Sequence, residues 1–361
     1  MPVRALWYSR GVLSVLDQRA LPGSTRVLRL RTLAETAEAI RTLTVRGAPS
    51  IGVAAAFGMV LAHREGRYTP ARAARLLGAT RPTAFDLFVG IEVVRAAWAA
   101  GQDVEAAAEA YRAKVVEECH AIGNAGAPLF ARTRRVLTHC NAGALATVEW
   151  GTALAPLRVA RARGARLFVW VDETRPLLQG ARLTAWELAR EHIPHAVIAD
   201  NAAGHFLSTG QVDAVIVGAD RIARNGDFAN KIGTYEKAVV AHENGVPFYV
   251  AAPWSTFDAR RANGASIPVE ERDPEEVARL AGRRLTPAAS PSRNPAFDVT
   301  PSRYVTAFVT PGGIVRPRDL ARVLARRAAA DRAVRAPARV RADCSGPARP
   351  RGRSPRGRRG R

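Results

Sequence analysis

Cysteine is scarce in this chain of 361 residues, which contains three: Cys119, Cys140 and Cys344. An odd and sparse set of cysteines does not fit the disulfide framework of a secreted protein, and it favours a reducing compartment. None of the three belongs to a CxxC pair, and Cys119, next to His120, has no second pair at the spacing of a zinc site. We therefore expect neither disulfides nor a structural metal.

Long hydrophobic runs are also missing. No stretch approaches the roughly 18 to 20 consecutive apolar residues that a membrane-spanning helix needs. The first residues, MPVRALWYSRGVL, lack the apolar stretch and cleavage site of a secretory signal peptide. A GxGxxG loop, a Walker loop and a Ser/His/Asp order are absent too. These absences favour a cytoplasmic protein that does not associate with membranes.

Positive charge, in contrast, is abundant, because the net charge is +22. Eleven arginines and two aspartates lie in residues 331–361, a segment that is otherwise rich in Ala, Pro and Gly. Too little apolar content is present there to form a core, so we predict a disordered Arg-rich tail. Nucleic acid is not expected as a partner, except nonspecifically through this tail. The charge on the remaining residues would favour a small anionic substrate.

The chain is predicted to be an α/β protein of two domains plus the tail, because it is longer than a single core usually allows. Residues 1–130 read as a mostly helical domain, with apolar residues at helical spacing over 33–43 and a buried helix over 50–63. Further helices are expected at 69–78, 83–99 and 103–121. Residues 131–330 contain short apolar runs between helical stretches, which is typical of a Rossmann-like parallel sheet. The runs are RVLTHC, RLFVWVDE, HAVIAD, AVIVGAD, PFYVAAP and YVTAFVT.

Polar residues follow directly after most of these runs. Cys140, Asp172, Asp200 and Asp220 each stand at the end of a predicted strand. In open α/β sheets, ligands bind outside the carboxyl ends of the strands, where the strand order reverses. We therefore expect these side chains to converge on one rim of the sheet.

Two segments of the helical domain are candidate phosphate sites. RGAPSIGVAAAFG, residues 46–58, places Arg46 and small residues before a helix, whose electropositive N-terminus suits an anion. A tight turn between packed helices is the alternative. In RPTAFDL, Arg81 precedes a helix start and could be a second phosphate ligand, or a surface arginine at a helix cap.

Cys140 and Asp220 are the candidate reactive groups. Cys140 lies between a strand and a predicted helix, a position that tends to lower the pKa of a thiol, although an inert core cysteine is the alternative. Asp220 follows a fully buried strand, where burial could raise its pKa enough for acid or base work, and a capping Asp is the alternative. Next to Cys140, His139 is expected to be a structural histidine.

Two further segments offer polar ligands. After Asn225, Gly226 and Asp227, which predict a turn, residues 230–233 bring an amide, an ammonium and bare backbone to the start of the next helix, a setting suited to phosphate. In residues 171–188, the side chains of Arg175, Gln179 and Arg182 could bind hydroxyls or phosphate. A crossover loop held by internal ion pairs is the alternative for that segment.

Taken together, these segments resemble the methylthioribose-1-phosphate isomerases, relatives of the alpha, beta and delta regulatory subunits of the eukaryotic initiation-factor guanine-nucleotide exchanger. The resemblance covers roughly residues 5–317. Its motifs, in family order, are LTVRGAPSIGVAAAFG, RPTA, CNAGALAT, WGTAL, DETRPLLQGARLTAWEL, GADRIARNGD, ANKIGTY, AAPWSTFD, IPVEERDPEEV and NPAFDVTP. Departures are Asp86, where the family pattern leads us to expect Asn, and Lys237, where it leads us to expect an apolar residue.

The resemblance implies an aldose-ketose isomerase of methionine salvage that converts 5-methylthioribose 1-phosphate to 5-methylthioribulose 1-phosphate. It implies a homodimer that uses no metal or organic cofactor. It also implies that Asp220 is the proton donor and that Cys140 stabilises the transition state. The implied ligands of the substrate and its phosphate are Arg46, Gly47, Ala48, Arg81, Gln179, Asn230 and Lys231. An isomerase of 5-deoxyribose 1-phosphate or ribose 1,5-bisphosphate is the alternative, followed by a non-catalytic regulatory protein.

Overall fold

A computed structural model describes residues 3–335 of the chain, and side chains up to residue 330. The chain divides into two compact units after residue 324, and the first of them holds all the residues of the candidate site. None of the described helices combines the length and the apolar character that would carry it across a bilayer. Residues 336–361 of the predicted tail lie outside the described residues.

The amino-terminal part consists of three antiparallel strands followed by five helices. The strands are β1 (Leu6–Ser9), β2 (Val12–Leu16) and β3 (Val27–Leu30), and the helices are α1 (Leu33–Arg41), α2 (Ala48–Glu65), α3 (Pro70–Gly78), α4 (Phe85–Ala99) and α5 (Val104–Gly126). All five predicted helices are present, with ends within a few residues of those expected. The mostly helical character of this part agrees with the sequence pattern, while the division into domains at residue 130 stays a prediction.

The helix α2 is the centre of this part. Its residues 49–62 are all buried, as expected of a helix that is apolar on every side. The close approach of α2 and α4 depends on two glycines, because a Cβ at Gly90 would overlap the carbonyl oxygen of Gly52. The residue that precedes the helix is Gly47, whose φ of +86° lies in the left-handed region that favours glycine. Packing therefore fixes the position of the α2 N-terminus.

After residue 130 the chain alternates between strands and helices. The strands are β4 (Arg135–Thr138), β5 (Phe168–Asp172), β6 (His195–Ile198), β7 (Ala214–Val217), β8 (Arg221–Ala223), β9 (Phe228–Lys231), β10 (Phe248–Ala251), β11 (Phe257–Asp258), β12 (Arg279–Leu280), β13 (Arg283–Arg284), β14 (Phe297–Thr300), β15 (Ala307–Thr310) and β16 (Gly313–Val315). The helices are α6 (Leu154–Ala162), α7 (Ala185–Arg190), α8 (Ala202–Ser208), α9 (Thr234–Glu243), α10 (Glu275–Ala278) and α11 (Pro317–Arg335). Each of the six apolar runs contains one strand of the main sheet.

The main sheet has seven strands in the order β16-β15-β10-β7-β4-β5-β6. All neighbours in it are parallel except β15 and β16. This parallel sheet among helices confirms the predicted α/β class. From β4 the chain adds β5 and β6 on one side and then returns to place β7 on the other side. The strand order therefore reverses between β4 and β7, which is where ligands bind in such sheets.

A second sheet, in the order β11-β8-β9-β14, begins immediately after β7. The strands β8 and β9 form a hairpin around the predicted turn, in which Gly226 has a φ of +89°. Asn230 and Lys231 therefore lie on a strand that pairs with β14, rather than in the loop at the start of α9. The sequence placed Asn230 and Lys231 correctly near the cavity. It did not predict the strand that carries them, because strands of three and four residues are too short to show an alternating apolar pattern.

Candidate active site

A recessed cavity lies at the switch point between β4 and β7. Cys140 follows β4, and Asp220 follows β7, which is the neighbouring strand. The nine catalytic and substrate-binding residues that the family resemblance implied all line this cavity: Arg46, Gly47, Ala48, Arg81, Cys140, Gln179, Asp220, Asn230 and Lys231. Of the four strand-end residues expected to converge on one rim, Cys140 and Asp220 line the cavity, whereas Asp172 and Asp200 do not. The role of each residue stays a prediction.

The backbone of Cys140 is held in an uncommon conformation. Its φ of +61° is in the left-handed region, which non-glycine residues adopt at a cost. Two threonine hydroxyls stabilise it: the N–H of Cys140 donates to Thr174 Oγ1 (2.8 Å), and Thr184 Oγ1 donates to the Cys140 carbonyl (2.7 Å). The residue at the end of β4 is thus turned toward the cavity and fixed from both sides.

The thiol of Cys140 is protonated more firmly than a free thiol. Burial raises its pKa, although the charges of Arg46 and Lys231 act in the opposite direction. The lowered pKa expected from a helix N-terminus was wrong, because only the 3-10 turn Ala144–Ala146 follows Cys140, and the next α-helix, α6, begins at Leu154. A single 3-10 turn has too few aligned peptide dipoles to offset burial.

Asp220 is a carboxyl group whose environment favours the neutral form. Burial raises its pKa, as the sequence predicted, while the cations Lys231, Arg46 and Arg81 act in the opposite direction. Its backbone N–H donates to the carbonyl of Ala229 (2.9 Å), which ties it to the hairpin. A carboxyl group with a raised pKa next to a ligand cavity is suited to donating a proton.

One end of the cavity is formed by Arg46 and the N-terminus of α2. The Arg46 guanidinium donates from Nη1 to Asn141 Oδ1 (2.6 Å) and from Nη2 to the Asn141 carbonyl (3.0 Å). A Cβ at Gly47 would come within 2.5 Å of Ala146, so only glycine fits there. The first turn of α2 has no acidic residue and no side-chain cap, which leaves the backbone N–H groups of Ala48 and Ser50 available to an anion. Pro49 has no N–H, and the N–H of Ile51 donates to the carbonyl of Gly47 (3.0 Å).

Arg81 and Gln179 add unpaired polar atoms to the cavity. The guanidinium of Arg81 contacts Glu270 (3.2 Å), which also accepts from the hydroxyl of Thr83 (2.8 Å). Among the described residues, the buried Nε of Arg81 and the buried Oε1 of Gln179 have no hydrogen-bond partner. Buried polar atoms usually have partners, so these two atoms are suited to binding a ligand.

The strand β9 brings Asn230 and Lys231 to the cavity. Asn230 Nδ2 donates to Thr234 Oγ1 (2.9 Å), and the Lys231 ammonium donates to the carbonyl of Ala296 (2.8 Å). Burial lowers the pKa of Lys231, while Cys140 and Asp220 act in the opposite direction. The ammonium also lies 4.6 Å from the centre of the Phe297 ring. The lysine is therefore anchored close to both candidate reactive groups.

Two arginines that the sequence offered as ligands point elsewhere. Arg182 donates to four backbone carbonyls, three of them in residues 18–21. Arg175 donates to the carbonyls of Pro176 and Val277. Both side chains therefore hold loops together, and of the three candidates in residues 171–188 only Gln179 lines the cavity. Arg175 and Arg182 thus hold the loop through carbonyl groups. The acids at the two ends of the segment form ion pairs, Asp172 with Lys237 and Glu187 with Arg158.

Behind Cys140 lies a buried network that sequence reasoning did not assemble. His139, the expected structural histidine, contacts Asp172 through Nδ1 (2.9 Å) and donates from Nε2 to the carbonyl of Ile232 (2.8 Å). The ammonium of Lys237 lies 3.6 Å from the same carboxylate, whose pKa burial raises. His139, Asp172 and Asp200 have metal-ligand atoms within 4.8 Å of one another. Both His139 nitrogens are already hydrogen-bonded, however, so we interpret the cluster as a structural network and not as a metal site.

The fold and the cavity define an α/β protein with a ligand site at the switch point of a parallel sheet. The cations and free N–H groups around that site are suited to a small anionic molecule.

The chain belongs to the initiation factor 2 subunit family, because the model of that family matches residues 44–317. A methylthioribose-1-phosphate isomerase from Roseiflexus castenholzii is 50% identical, over 87% of this chain and 95% of the relative. A 5-deoxyribose 1-phosphate isomerase from Moorella thermoacetica is 49% identical, over 90% of this chain and 98% of the relative.

Two solved structures have the same fold. The 5-methylthioribose 1-phosphate isomerase from Pyrococcus horikoshii OT3 has a TM-score of 0.82 and 42% identity, over 90% of this chain and 95% of that one. The translation initiation factor eIF-2B subunit delta from A. fulgidus has a TM-score of 0.78 and 42% identity, over 88% of this chain and 97% of that one. The expected family resemblance is therefore confirmed.

Proposed function

We propose that this protein is an aldose-ketose isomerase that converts 5-methylthioribose 1-phosphate to 5-methylthioribulose 1-phosphate in methionine salvage. The observation that carries the proposal is the meeting of a thiol and an acid from neighbouring strands in a cavity surrounded by cations. The names of relatives that are about half identical in sequence support the same reaction.

The substrate chemistry explains why an acid is needed. The phosphate sits on the anomeric oxygen, so the sugar cannot open to a free aldehyde, and the bond from C1 to the ring oxygen must break. Asp220 donates its proton to the ring oxygen as that bond breaks. Hydrogen then moves from C2 to C1, and the C2 hydroxyl loses its proton, which replaces the one that Asp220 donated. A ketone is left at C2, with Cys140 beside the two carbons. Neither a metal nor an organic cofactor is needed for these steps.

Two routes are open for the hydrogen. It can move as a hydride, or as a proton through an enediolate with Cys140 as thiolate base. Burial raises the pKa of Cys140, and a neutral thiol is a poor base, so the environment of Cys140 favours the hydride route. Turnover in D2O tests the two routes. A hydride moves directly from C2 to C1, whereas a proton held on Cys140 can exchange with solvent before it reaches C1. Deuterium at C1 of the product would contradict the hydride route.

The test of the proposed function is an isomerase assay on the purified protein with three sugar phosphates. We expect 5-methylthioribose 1-phosphate to be converted most efficiently, as judged by kcat/KM. The Moorella relative makes 5-deoxyribose 1-phosphate the second candidate. Ribose 1,5-bisphosphate is the third, and a preference for it would require cations around the 5-position. No conversion of any of the three would contradict the proposal and leave the regulatory alternative.

The proposal also covers the domain division, the oligomeric state and the localisation of the protein. The helical residues 1–130 and the Rossmann-like residues 131–330 are the two domains, with the cavity lined by both. The protein acts as a homodimer in the cytoplasm, as the resemblance implies. Size-exclusion chromatography with light scattering tests the homodimer, and a monomeric mass would contradict it.

A further inference from the structure

The carboxylate of Glu187 is fully buried and accepts four hydrogen bonds. Its Oε1 accepts from Asn141 Nδ2 (2.8 Å) and from the backbone N–H of Leu145 (3.2 Å). Its Oε2 accepts from the backbone N–H of Ala144 (2.7 Å) and from Arg158 Nη2 (2.6 Å). Four donors around two oxygens match an ionised carboxylate, which only accepts.

The bond to Asn141 connects Glu187 to the cavity. Both hydrogens of the Asn141 amide are used, one by Glu187 and one by Thr184 Oγ1 (3.2 Å). The amide oxygen must then point the other way, where it accepts from Arg46 Nη1 (2.6 Å). The backbone carbonyl of Asn141 accepts from the second guanidinium nitrogen of Arg46 (3.0 Å). The orientation of Asn141 therefore sets the orientation of Arg46.

An amide at position 187 could not do the same. A glutamine has one acceptor oxygen and one NH2 group, so whichever way it turns, the NH2 group faces two of the four donors. The charged Arg158 would hold the oxygen, because hydrogen bonds to charged groups are stronger. The NH2 group would then face Asn141, whose amide would have to rotate and present donors to Arg46. The four donors therefore fit a carboxylate, and the absence of a side chain at Gly143 leaves room for it, since a Cβ there would overlap Glu187.

We propose that Glu187 is a positioning residue that acts through Asn141 to hold the Arg46 guanidinium at the cavity. Arg46 lines the cavity, and its charge opposes the burial that raises the pKa of Cys140 and of Asp220. A displaced Arg46 would therefore weaken the binding of an anionic ligand. The role of Arg46 as a phosphate ligand rests on the proposed function, but its position does not.

The first test is a crystal structure of Glu187→Gln, with Glu191→Gln as the matched control. Glu191 accepts from Arg158 through both oxygens (2.7 Å each), and among the described residues it has no hydrogen bond with Asn141. We expect Arg46 to leave Asn141 in Glu187→Gln and to keep both bonds in Glu191→Gln. An unmoved Arg46 in Glu187→Gln would overturn the proposal, whatever the activity of the protein.

The second test is kinetic and uses the isomerase assay. Glu187→Gln should raise KM about tenfold, the size of effect expected when one binding interaction is lost, and should change kcat less than about threefold. Glu191→Gln should leave KM within about twofold.

A double variant tests whether Glu187 acts through Arg46. In the background of Arg46→Ala, adding Glu187→Gln should not raise KM further. A further rise of the same factor would mean that Glu187 acts independently of Arg46. If the wild-type protein converts no sugar phosphate while Arg46 still moves in the variant, the proposed function fails and the positioning role stands.

Discussion

Asp220 is the residue on which the proposed reaction depends most directly. Asp220→Asn keeps the shape of the side chain but removes the transferable proton, so we expect kcat to fall by about 100-fold or more with KM nearly unchanged. Steady-state kinetics measure this. Asp213→Asn is the control, because Asp213 precedes the same strand at its other end and pairs with Arg135. Near-normal turnover in Asp220→Asn would remove this residue from the mechanism.

Asp86, which stands where the family pattern leads us to expect Asn, is a second buried acid. Burial raises the pKa of its carboxyl to about 6, and the charges of Asp220 and Glu118 add to this. Because the folded protein holds the proton more tightly than the unfolded chain, this group makes the protein less stable as pH rises from about 4 to about 6. At neutral pH, the carboxyl of Asp86 lowers the free energy of unfolding by about 3 kcal/mol relative to its value at pH 4.

Asp86→Asn should therefore stabilise the protein at pH 7.5 but hardly at pH 4. Thermal unfolding at both pH values measures the effect. Glu92→Gln is a control on the same helix, because Glu92 is exposed and its pKa is lowered by a hydrogen bond with Arg95. The same gain in stability at pH 4 and at pH 7.5 would show that the charge of Asp86 is not the cause.

At the scale of elements, the contact between α2 and α4 controls where the N-terminus of α2 lies. Gly90→Ala would drive a Cβ into the Gly52 carbonyl, which is backbone and cannot rotate away. We expect a loss of about 3 kcal/mol in the free energy of unfolding, measured with denaturant, because overpacking forces the backbone to shift. Gly204→Ala in α8 is the control, since nothing lies within 4 Å of its Cβ position. Equal stability of the two variants would contradict this packing argument.

The elements also show how far the sequence could predict the site. Cys140 and Asp220 could be placed together because each ends a buried apolar run, and parallel strands end at one edge. The state of the Cys140 thiol could not be predicted, because the helix expected after it is a 3-10 turn. The hairpin that carries Lys231 was missed because its strands are only three and four residues long.

Contacts between distant segments were the other part that the sequence did not reveal. Arg182 was a possible ligand, with a crossover loop as the alternative, and three of its four carbonyl partners lie about 160 residues away. The Glu187 carboxylate is also bonded to a separate part of the chain, since its hydrogen-bond donors come from residues 141–158. Such pairings follow from the tertiary fold and leave no local pattern.

At the scale of the whole molecule, the positive charge is unevenly distributed along the chain. Removing residues 336–361 deletes nine arginines and one aspartate, which lowers the net charge from +22 to +14. We expect the shortened protein to keep its kcat and KM. Any binding to duplex DNA should be weaker and less sensitive to salt, since released counterions drive such binding. Titration at two salt concentrations measures this, and DNA affinity equal to that of the full chain would contradict the prediction.

The firm protonation of Cys140 has a consequence for how the protein meets reactive chemicals. Peroxides and alkylating agents attack the thiolate form of cysteine, and burial suppresses that form here. The residue is also only 9% exposed, and hydrogen bonds with Thr174 and Thr184 restrain its backbone. We therefore expect Cys140 to react more slowly with peroxides and alkylating agents than a cysteine that is ionised at neutral pH.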